Sequence, residues 1–526
     1  MASATLYLGL AISAVVLLVV TNYRVRARKR LSFPPGPKGL PFFGNAFQYP
    51  EVDPWEQFAQ WEKEYGDVVG LSLFGQNVVI INKYGAASDL LEKRSSIYSN
   101  RPQNALWAKY GGWDFAVTAA NPGEFFNLER RFLSQFFNTS AVRQFFNLIT
   151  KNTQRYVTLI STDPAKFRDW NRMLCRRTTA ANILSAAYGH EVTDENDEWV
   201  QRTDQAMRSI GLLGTIGTHP IDIIPSLGLL PFRIWGRKFY KGMKTVQKCA
   251  REMSVLPFQL VKEQVHSGTA IPSITSTLIE SHLLPDGSVK HEREIYGSAA
   301  VVYMAGADTT VSSIDSFILA MMLSPEVQER AQKYIDELLQ GERLPDLDDR
   351  DSLPYLSAIV KETLRWQPIV PLGLAHCLAQ DDTYRNYHLP ADTMIIPNLW
   401  KMLRDPDEFP EPEKFEPERF INTQSVPPSL RTDVRDPEEM AWGFGKRICP
   451  GRHFAYATLW ITFATLLTVF DISLPKDEAG NDIIPDLNYV NGIVIHPKPF
   501  RCIFKPRSDH ALSLLQTTND LQEGAE

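Results

Sequence analysis

One cysteine, Cys449, lies in a short stretch whose residue types could hold a metal ion through sulfur. The stretch is AWGFGKRICPGRHFA, with Gly445 and Gly451 on either side of the cysteine and Lys446 and Arg447 just before it. Glycines let a chain bend sharply, and nearby cations and free backbone N–H groups stabilise a thiolate, the form of cysteine that binds metals. The alternative is a buried, inert thiol.

A second candidate site lies in the run SAAVVYMAGADTTVSSIDSFILAMM, which is apolar on nearly every side. Such a pattern predicts a helix over Glu292 to Leu323 that is buried through the middle of the body. Inside it, Gly306 costs about 1 kcal/mol relative to alanine, and the charge of Asp308 is expensive to bury unless it is paired or hydrated. The hydroxyls of Thr309 and Thr310 can bond to carbonyls one turn earlier and loosen the helix. These costs suggest a function, with a threonine pair capping a helical defect as the alternative.

Four motifs in a fixed order resemble those of the cytochrome P450 family. AGADTT matches its oxygen-activating segment, ETLR its ExxR motif and PERF its third signature. The cysteine stretch fits FxxGxRxCxG with only the first aromatic changed, at Trp442, Gly445, Arg447, Cys449 and Gly451. The resemblance implies haem b as the cofactor, with the Cys449 thiolate as the iron ligand.

The resemblance also implies roles for the other motifs. Asp308 and Thr309 would relay protons to dioxygen. Glu362 and Arg365 of ETLR would join Arg419 of PERF in a buried ion network that supports the segment before the cysteine. We interpret these three residues as structural, because removing one partner of a buried pair leaves a charge uncompensated at a cost of about 3–5 kcal/mol.

Haem carries two propionates, so the resemblance implies cations or hydrogen-bond donors that meet them. Arg447 is the best match, and His376 lies where the family often places another, although it could equally be a satisfied core histidine. The family expects WxxxR early in the helical part, whereas this chain has Phe126 and Arg130. That departure removes an indole N–H, and an ordinary amphipathic helix with exposed arginines is the alternative.

Hydrophobic periodicity around these motifs predicts a mainly helical protein with a small β part. The run Val68 to Lys83 predicts a β-hairpin that turns around Gly75-Gln76-Asn77. Helical periods then dominate to about Leu364, as in Leu323 to Gln340, and short β runs return in TMIIPNL and NGIVIHPKPFRCIFK. The 526 residues exceed the usual size of one core, but no boundary divides them. We therefore expect a single large cytochrome P450 fold plus an N-terminal transmembrane helix.

The residue pattern at the N-terminus predicts this membrane anchor. Residues 1–23 carry no charge and are mostly aliphatic, which is enough to span a bilayer as a helix. The basic residues between Arg24 and Arg30 follow the apolar run, so the positive-inside rule places the rest of the chain in the cytosol. The alternative is a cleaved signal peptide, in which the basic residues should precede the apolar run. The expected organisation is an anchor (1–23), a basic and proline-rich hinge (24–45), a haem-binding catalytic domain (46–510) and a flexible tail (511–526).

Composition excludes some classes of function. A net charge of −6 without a basic stripe argues against nucleic acid as a partner. Five widely spaced cysteines without a CxxC pair argue against a disulfide framework or a zinc knuckle. We therefore expect the folded body to lie in a reducing compartment.

The resemblance implies a monooxygenase that inserts one atom of O2 into a small hydrophobic substrate, a fungal secondary metabolite or xenobiotic. The prolines and the cysteine stretch are most similar to fungal microsomal members such as O-methylsterigmatocystin oxidoreductase. Because no flavin or nicotinamide domain follows Gly451, electrons would come from NADPH-cytochrome P450 reductase at the endoplasmic reticulum membrane. The alternatives are a haem-thiolate isomerase or dehydratase and a non-catalytic haem protein that binds a gas, and AGADTT disfavours both.

The substrate pocket can be placed only by family position. Its expected walls are Trp107–Phe115, Tyr303–Ala307, Ile369–Leu374 and Asn491–Val494, and residues His219–Trp235 are expected to form a lid that touches the membrane.

Overall fold

The computed structural model describes residues 31–523 except 103–104, 163–174, 176–177, 193–196, 211–220, 222–224, 423 and 426. The expected anchor at 1–23, and with it the start of the expected hinge, lies outside the described residues. Among the helices that are described, none combines the length and hydrophobicity needed to cross a bilayer.

Helices make up most of the described chain, which confirms the prediction of a mainly helical fold with a small β part. Shorter irregular helical turns include Ser88–Lys93, Ala105–Tyr110, Pro417–Phe420 and Gly445–Arg447, and residues 178–188 are also helical. The helices are α1 (Pro54–Tyr65), α2 (Tyr84–Ala87), α3 (Glu124–Phe137), α4 (Phe146–Thr162), α5 (Glu198–Ile210), α6 (Arg237–Ser267), α7 (Ile274–His282), α8 (Glu292–Leu323), α9 (Pro325–Leu339), α10 (Pro354–Trp366), α11 (Leu399–Met402), α12 (Glu438–Ala441), α13 (Arg452–Val469) and α14 (Asp509–Glu523).

The β part is small and divided among short pairings. Its largest sheet has the order β1-β2-β6-β3, in which β2 and β6 run parallel and the other pairs antiparallel. The strands are β1 (Val68–Leu73), β2 (Gln76–Ile81), β3 (His376–Cys377), β4 (Asp382–Tyr384), β5 (Tyr387–Leu389), β6 (Met394–Pro397), β7 (Ile421–Asn422), β8 (Ser429–Leu430), β9 (Phe470–Ser473), β10 (Tyr489–Val490), β11 (His496–Pro497) and β12 (Ile503–Pro506).

The predicted hairpin is confirmed as β1 and β2, and its turn falls at Phe74-Gly75, so that Gln76 already belongs to β2. Successive side chains of a strand point to opposite faces, and both faces of this sheet are buried. On one face Val79 and Ile81 join the main core. On the other, Val78 and Ile80 pack in a smaller cluster with Phe58 of α1. The sheet is therefore held between the helical body and α1.

The central helix α8 has the bounds that the apolar run predicts, Glu292–Leu323. It packs against α3, α6 and α13, among others. Against α13 the rings of Phe317 and Phe463 stack with their centroids 3.7 Å apart. Because α8 contacts helices from distant parts of the sequence, it carries its side chains to the middle of the body.

The segments next to both ends of the expected catalytic domain, 46–510, make packing contacts. The segment before residue 46 lies on β1, where the Gly70 N–H donates to the Pro35 carbonyl (2.8 Å) and a Cβ on Gly70 would lie 2.4 Å from the Pro34 carbonyl oxygen. At the other end, α14 covers most of the expected tail, and its Ala511 and Leu515 are buried.

Candidate functional site

The turn around Cys449 lies between α12 and α13 and is fixed by its own backbone. The Cys449 N–H donates to the Trp442 carbonyl (2.7 Å). Gly445 has a φ of +53°, and a Cβ there would lie 2.3 Å from the Leu91 carbonyl oxygen, so only glycine fits. Gly451 differs from the prediction: its φ is −84° and a Cβ would meet no atom within 4 Å. The second bend is made instead by Gly443, with a φ of +77°.

The electrostatics of the Cys449 thiol also differ from the prediction. Burial raises the pKa of this thiol, while the backbone N–H groups of Gly451 and Arg452 and the charges of Arg130 and Arg452 lower it. Lys446 is exposed to solvent, and it and Arg447 are not among the groups that shift this pKa. A coordinated metal ion would itself deprotonate the sulfur. The turn therefore suits a metal-bound thiolate better than a free one.

Arg447 is directed away from the sulfur and into the body. Its guanidinium donates to the carbonyls of Ser99 (2.8 Å), Val117 (3.1 Å) and Ala120 (2.5 Å). The guanidinium carbon lies 4.2 Å from the centre of the Phe126 ring. An aromatic face attracts a guanidinium, so Phe126, which replaces the family's tryptophan, still supports this arginine.

Arg130 and His376 reach the same region from α3 and β3. Arg130 donates to the carbonyl of Ile448, next to the cysteine (2.9 Å). Nδ1 of the His376 imidazole lies 2.8 Å from the Tyr98 carbonyl oxygen. Burial, with a smaller effect of nearby Arg101, lowers the pKa of His376 to about 3, so the ring is neutral. Because Nδ1 must donate to that carbonyl, no second N–H faces an anion, which favours the core alternative for His376.

Arg101 belongs to this cluster and was missed in the sequence. Its guanidinium donates to the carbonyls of Thr118 (3.0 Å), Leu374 (2.6 Å) and Ala375 (2.7 Å). Burial and the charge of Arg447 lower the pKa of Arg101 to about 9. No motif marks this arginine, and only the fold brings it beside Arg447.

Arg101, Arg130 and Arg447 form a cationic cluster, in which Arg101 is buried and the other two are partly buried. Burial and the charge of Arg130 lower the pKa of Arg447 to about 10. Within the part of the chain that the structure describes, none of the three forms an ion pair with a carboxylate. Buried charges without a counter-charge are costly, so the cluster suits a bound group that carries two carboxylates.

The middle of α8 is less buried than the rest of the helix, at the segment where the sequence predicted a functional defect. We call the face exposed there the opening of α8. Residues 304–309 are partly exposed, between the buried Tyr303 and Thr310. The Thr309 hydroxyl donates to the Ala305 carbonyl one turn earlier (2.8 Å), as predicted. Packing explains the glycine at position 306, since a Cβ on Gly306 would lie 2.5 Å from the Ile183 side chain. The opening leaves the Thr309 side chain accessible inside the body.

Asp308 lies on another face of α8, between a histidine and a cavity. One carboxylate oxygen is 3.2 Å from Nε2 of His496 in β11, a residue that sequence analysis missed. On the cavity side, Asp308 shares with Thr203 and Asp204 of α5 the lining of a space of about 70 Å³. That space holds about two water molecules. The carboxylate therefore borders a space large enough for water, to whose lining Thr203 and Asp204 add polar groups.

The predicted ion network is present, with Glu362 and Arg365 fully buried and Arg419 partly buried. Glu362 accepts from Arg365 at 2.7 and 3.0 Å and from Arg419 at 3.2 Å. The remaining donors of Arg365 go to the carbonyls of Leu403, Pro412 and Lys414. Because every charge has partners, the network can fix the PERF segment against α10.

The same helix is joined to the cysteine turn by a second set of contacts. Lys361 lies 2.6 Å from carboxylate oxygens of both Asp436 and Glu438. Glu438 in turn accepts from the Trp442 indole (3.2 Å), and the Trp442 carbonyl accepts from Cys449. α10 therefore positions the turn through Trp442.

The residues expected to form the pocket walls differ in how much of their surface is exposed. Trp107 and Trp113 stack with their ring centres 5.5 Å apart, and Trp113 is fully buried. The Tyr303 hydroxyl donates to the Trp199 carbonyl (2.7 Å), away from the opening. By contrast Leu374 and Ile493 are exposed. Within the expected lid, His219–Trp235, residues 219–220 and 222–224 lie outside the described residues, and Leu229, Leu230 and Ile234 are exposed.

Comparison with known proteins gives one family. The family model described as Cytochrome P450 matches residues 34–504. Cytochrome P450 monooxygenase 208 of Postia placenta is 38% identical over 98% of this chain and 98% of its own length. Tryptamine 4-monooxygenase of Psilocybe cyanescens is 36% identical over 96% and 98%, and Cytochrome P450 monooxygenase claR of Ampulloclitocybe clavipes is 35% identical over 97% and 92%.

Proposed function

The chain belongs to the cytochrome P450 family of haem-dependent monooxygenases, and on that premise we propose that it oxidises a hydrophobic fungal secondary metabolite or xenobiotic, with Cys449 as the iron ligand. The observation that carries this proposal is the cationic cluster beside the Cys449 turn. Its three arginines lack a carboxylate partner among the described residues, and haem b brings two propionates.

The residues present fit haem. Arg447 and Arg101 would pair with its propionates, and Arg130 would add positive charge beside the Cys449 turn. Gly451 leaves open space next to the turn. Trp442 and Gly445 hold the turn through the Cys449 N–H contact and the approach to Leu91. When bound, the haem supplies the oxidising chemistry that cleaves O2, and a thiolate ligand favours that cleavage.

The chain's own contribution to the reaction is proton supply and exclusion of bulk water. Asp308 holds a carboxylate at the lining of the cavity, on a face of α8 next to that of Thr309. Thr309 is fixed by its bond to Ala305, so that its hydroxyl oxygen can accept and pass on a proton. We propose that Asp308 takes protons from the cavity and that Thr309 delivers them to dioxygen.

Electrons come from a redox partner, which the family generally needs, and we propose NADPH-cytochrome P450 reductase. We also propose a single-pass anchor at residues 1–23 in the endoplasmic reticulum membrane, with the catalytic body in the cytosol. An exposed aromatic patch, Phe42, Phe43, Phe47 and Phe74, supports contact with lipid, because large exposed apolar patches mark interaction surfaces. It lies just after the expected anchor.

The iron ligand can be tested by one substitution. Reduced protein with carbon monoxide should show the strongly red-shifted Soret band of haem-thiolate proteins, and Cys449→Ser should abolish it. The matched control is Cys249→Ser, at a buried cysteine of α6, which should keep the band. An unchanged band in Cys449→Ser would contradict the assignment.

The substrate can be identified independently of the ligand. Metabolites of a strain that carries the gene should contain an oxidised apolar product that a deletion strain lacks, and the deletion strain should accumulate its precursor. Identical metabolite profiles would contradict a role in secondary metabolism, with the spectroscopic test unaffected.

A further inference from the structure

The carboxylate of Asp308 is held by a histidine that comes from the far end of the chain. Nε2 of His496 lies 3.2 Å from Oδ2 of Asp308, although 188 residues separate the two. His496 is almost completely buried, with 4% of its surface exposed. A buried polar contact between distant segments is specific to the fold, since neither residue is near the other in sequence.

The backbone around His496 is tied to α8 beside Asp308. The Ser312 hydroxyl, one turn after Asp308, donates to the Ile495 carbonyl. The Ile495 N–H donates to the Ile369 carbonyl (2.9 Å). β11 also pairs with β10. The imidazole is therefore fixed relative to Asp308 before any substrate binds.

The surroundings of the imidazole select one tautomer. An ionised carboxylate can only accept hydrogen bonds, so Nε2 of His496 must carry the hydrogen that Asp308 receives. Nδ1 is buried and has no hydrogen-bond partner among the described residues. The ring therefore acts as a donor to Asp308 through Nε2–H.

The cavity on the other side of Asp308 leads toward solvent. Asp204 and Arg208 of α5 contribute to its lining, and 79% of the Arg208 side chain is exposed. Asp308 thus lies between a fixed donor and a space that water can reach.

We propose that His496 is a positioning residue for proton delivery: its Nε2–H holds the Asp308 carboxylate at the lining of the cavity. This proposal rests on the proposed role of Asp308. His496 itself transfers no proton, because its outer nitrogen has no partner through which a proton could arrive.

The first test measures the contact without turnover. Melting temperatures of the haem-loaded protein are compared for His496→Phe, Asp308→Ala and the double variant. Phenylalanine keeps the ring and removes the donor. If the two residues interact, His496→Phe should lower the melting temperature in the parent protein and have a smaller effect after Asp308→Ala. Equal effects in the two backgrounds would overturn the contact.

The second test measures proton delivery and needs no identified substrate. With purified NADPH-cytochrome P450 reductase, NADPH supplies two electrons per molecule. Two electrons and two protons convert O2 to hydrogen peroxide, and four of each convert it to two water molecules. The rate of NADPH consumption is compared in H2O and D2O. His496→Phe should slow it roughly tenfold, as for one lost hydrogen bond to a charged group, and should increase the ratio of the rates in H2O and D2O.

Two further variants separate positioning from general damage. His496→Gln places an amide N–H near the position of Nε2 and should restore much of the rate and the parent isotope ratio. The matched control is His190→Phe, because His190 also contacts an aspartate, Asp197, at 2.7 Å but lies outside the site. It should leave the isotope ratio unchanged.

The outcomes distinguish this proposal from the proposed function. If Asp308→Ala slows NADPH consumption and His496→Phe does not, only the positioning role is overturned. If Asp308→Ala changes neither rate nor isotope ratio, the proton role of Asp308 fails and the positioning role fails with it. A changed isotope ratio in His190→Phe would show general damage and would also overturn the proposal.

Discussion

At the scale of single residues, adjacent side chains of α8 have different surroundings and therefore different tasks. Thr309 lies on the opened face, with its hydroxyl bonded to the Ala305 carbonyl. Asp308 is turned toward His496 and the cavity. Thr310 is buried. A helix rotates about 100° per residue, so Asp308, Thr309 and Thr310 face the cavity, the opening and the core, respectively.

Thr309→Ala should therefore uncouple electron use from product formation. Without the hydroxyl, protons reach dioxygen without control, and more of the NADPH consumed should appear as hydrogen peroxide and less as product. Asp308→Asn should instead slow turnover by roughly a hundredfold, the lower end of what a positioned proton-transfer group contributes. NADPH, peroxide and product are measured together, with the substrate named by the metabolite comparison.

The matched control is Thr310→Ala, at the neighbouring buried threonine, which should keep the parent ratio of peroxide to NADPH. Equal ratios in the parent protein and in both Thr309→Ala and Asp308→Asn would contradict proton delivery by this pair.

At the scale of elements, α10 connects the interior to the cysteine turn. Its Glu362 and Arg365 are fully buried and bind Arg419 of PERF. Its Lys361 reaches Glu438, which holds Trp442. One helix thus fixes two segments before the turn, PERF and the segment that holds Trp442. A substitution inside α10 should therefore alter the haem site although α10 does not contact the haem site directly.

Glu362→Gln should destabilise the protein strongly. The substitution removes the charge that compensates two buried arginines, and breaking such a pair costs about 3–5 kcal/mol of unfolding free energy. We expect a large fall in melting temperature and a smaller fraction of protein that retains haem, measured from the carbon monoxide spectrum.

Asp348→Asn is the control for this substitution, because Asp348 and Arg143 form an ion pair with both side chains mostly exposed. An exposed pair contributes at most about 1 kcal/mol. Equal melting temperatures for the two variants would show that the buried network does not support the fold.

At the scale of the whole molecule, one continuous core joins the β1-β2 hairpin to α14. The segment from Pro34 onward is packed on β1, and the family model begins at the same point, residue 34. The exposed aromatic patch follows directly, with Phe42 94% exposed. The segment from Pro34 onward and the exposed aromatic patch therefore both belong to the described body.

Removal of residues 1–30 should release much of the protein from microsomes and leave its haem spectrum intact. Some membrane affinity should remain, because the aromatic patch is still present. Replacing Phe42 and Phe47 by serine in the shortened protein should reduce the remainder, as measured by sedimentation with microsomes. Loss of haem on truncation would show that the N-terminal segment is part of the fold.

The sequence by itself determined the family, the fold class, the bounds of α8 and the residues of the ion network. Those features can be predicted from local residue patterns, since apolar periodicity and short motifs depend on neighbours along the chain. Only the tertiary structure decided that Arg101 joins the cationic cluster, that His496 binds Asp308, and that Gly443 rather than Gly451 bends the cysteine turn. These depend on contacts between segments far apart in the chain, where burial and charge act through space and leave no local pattern to read.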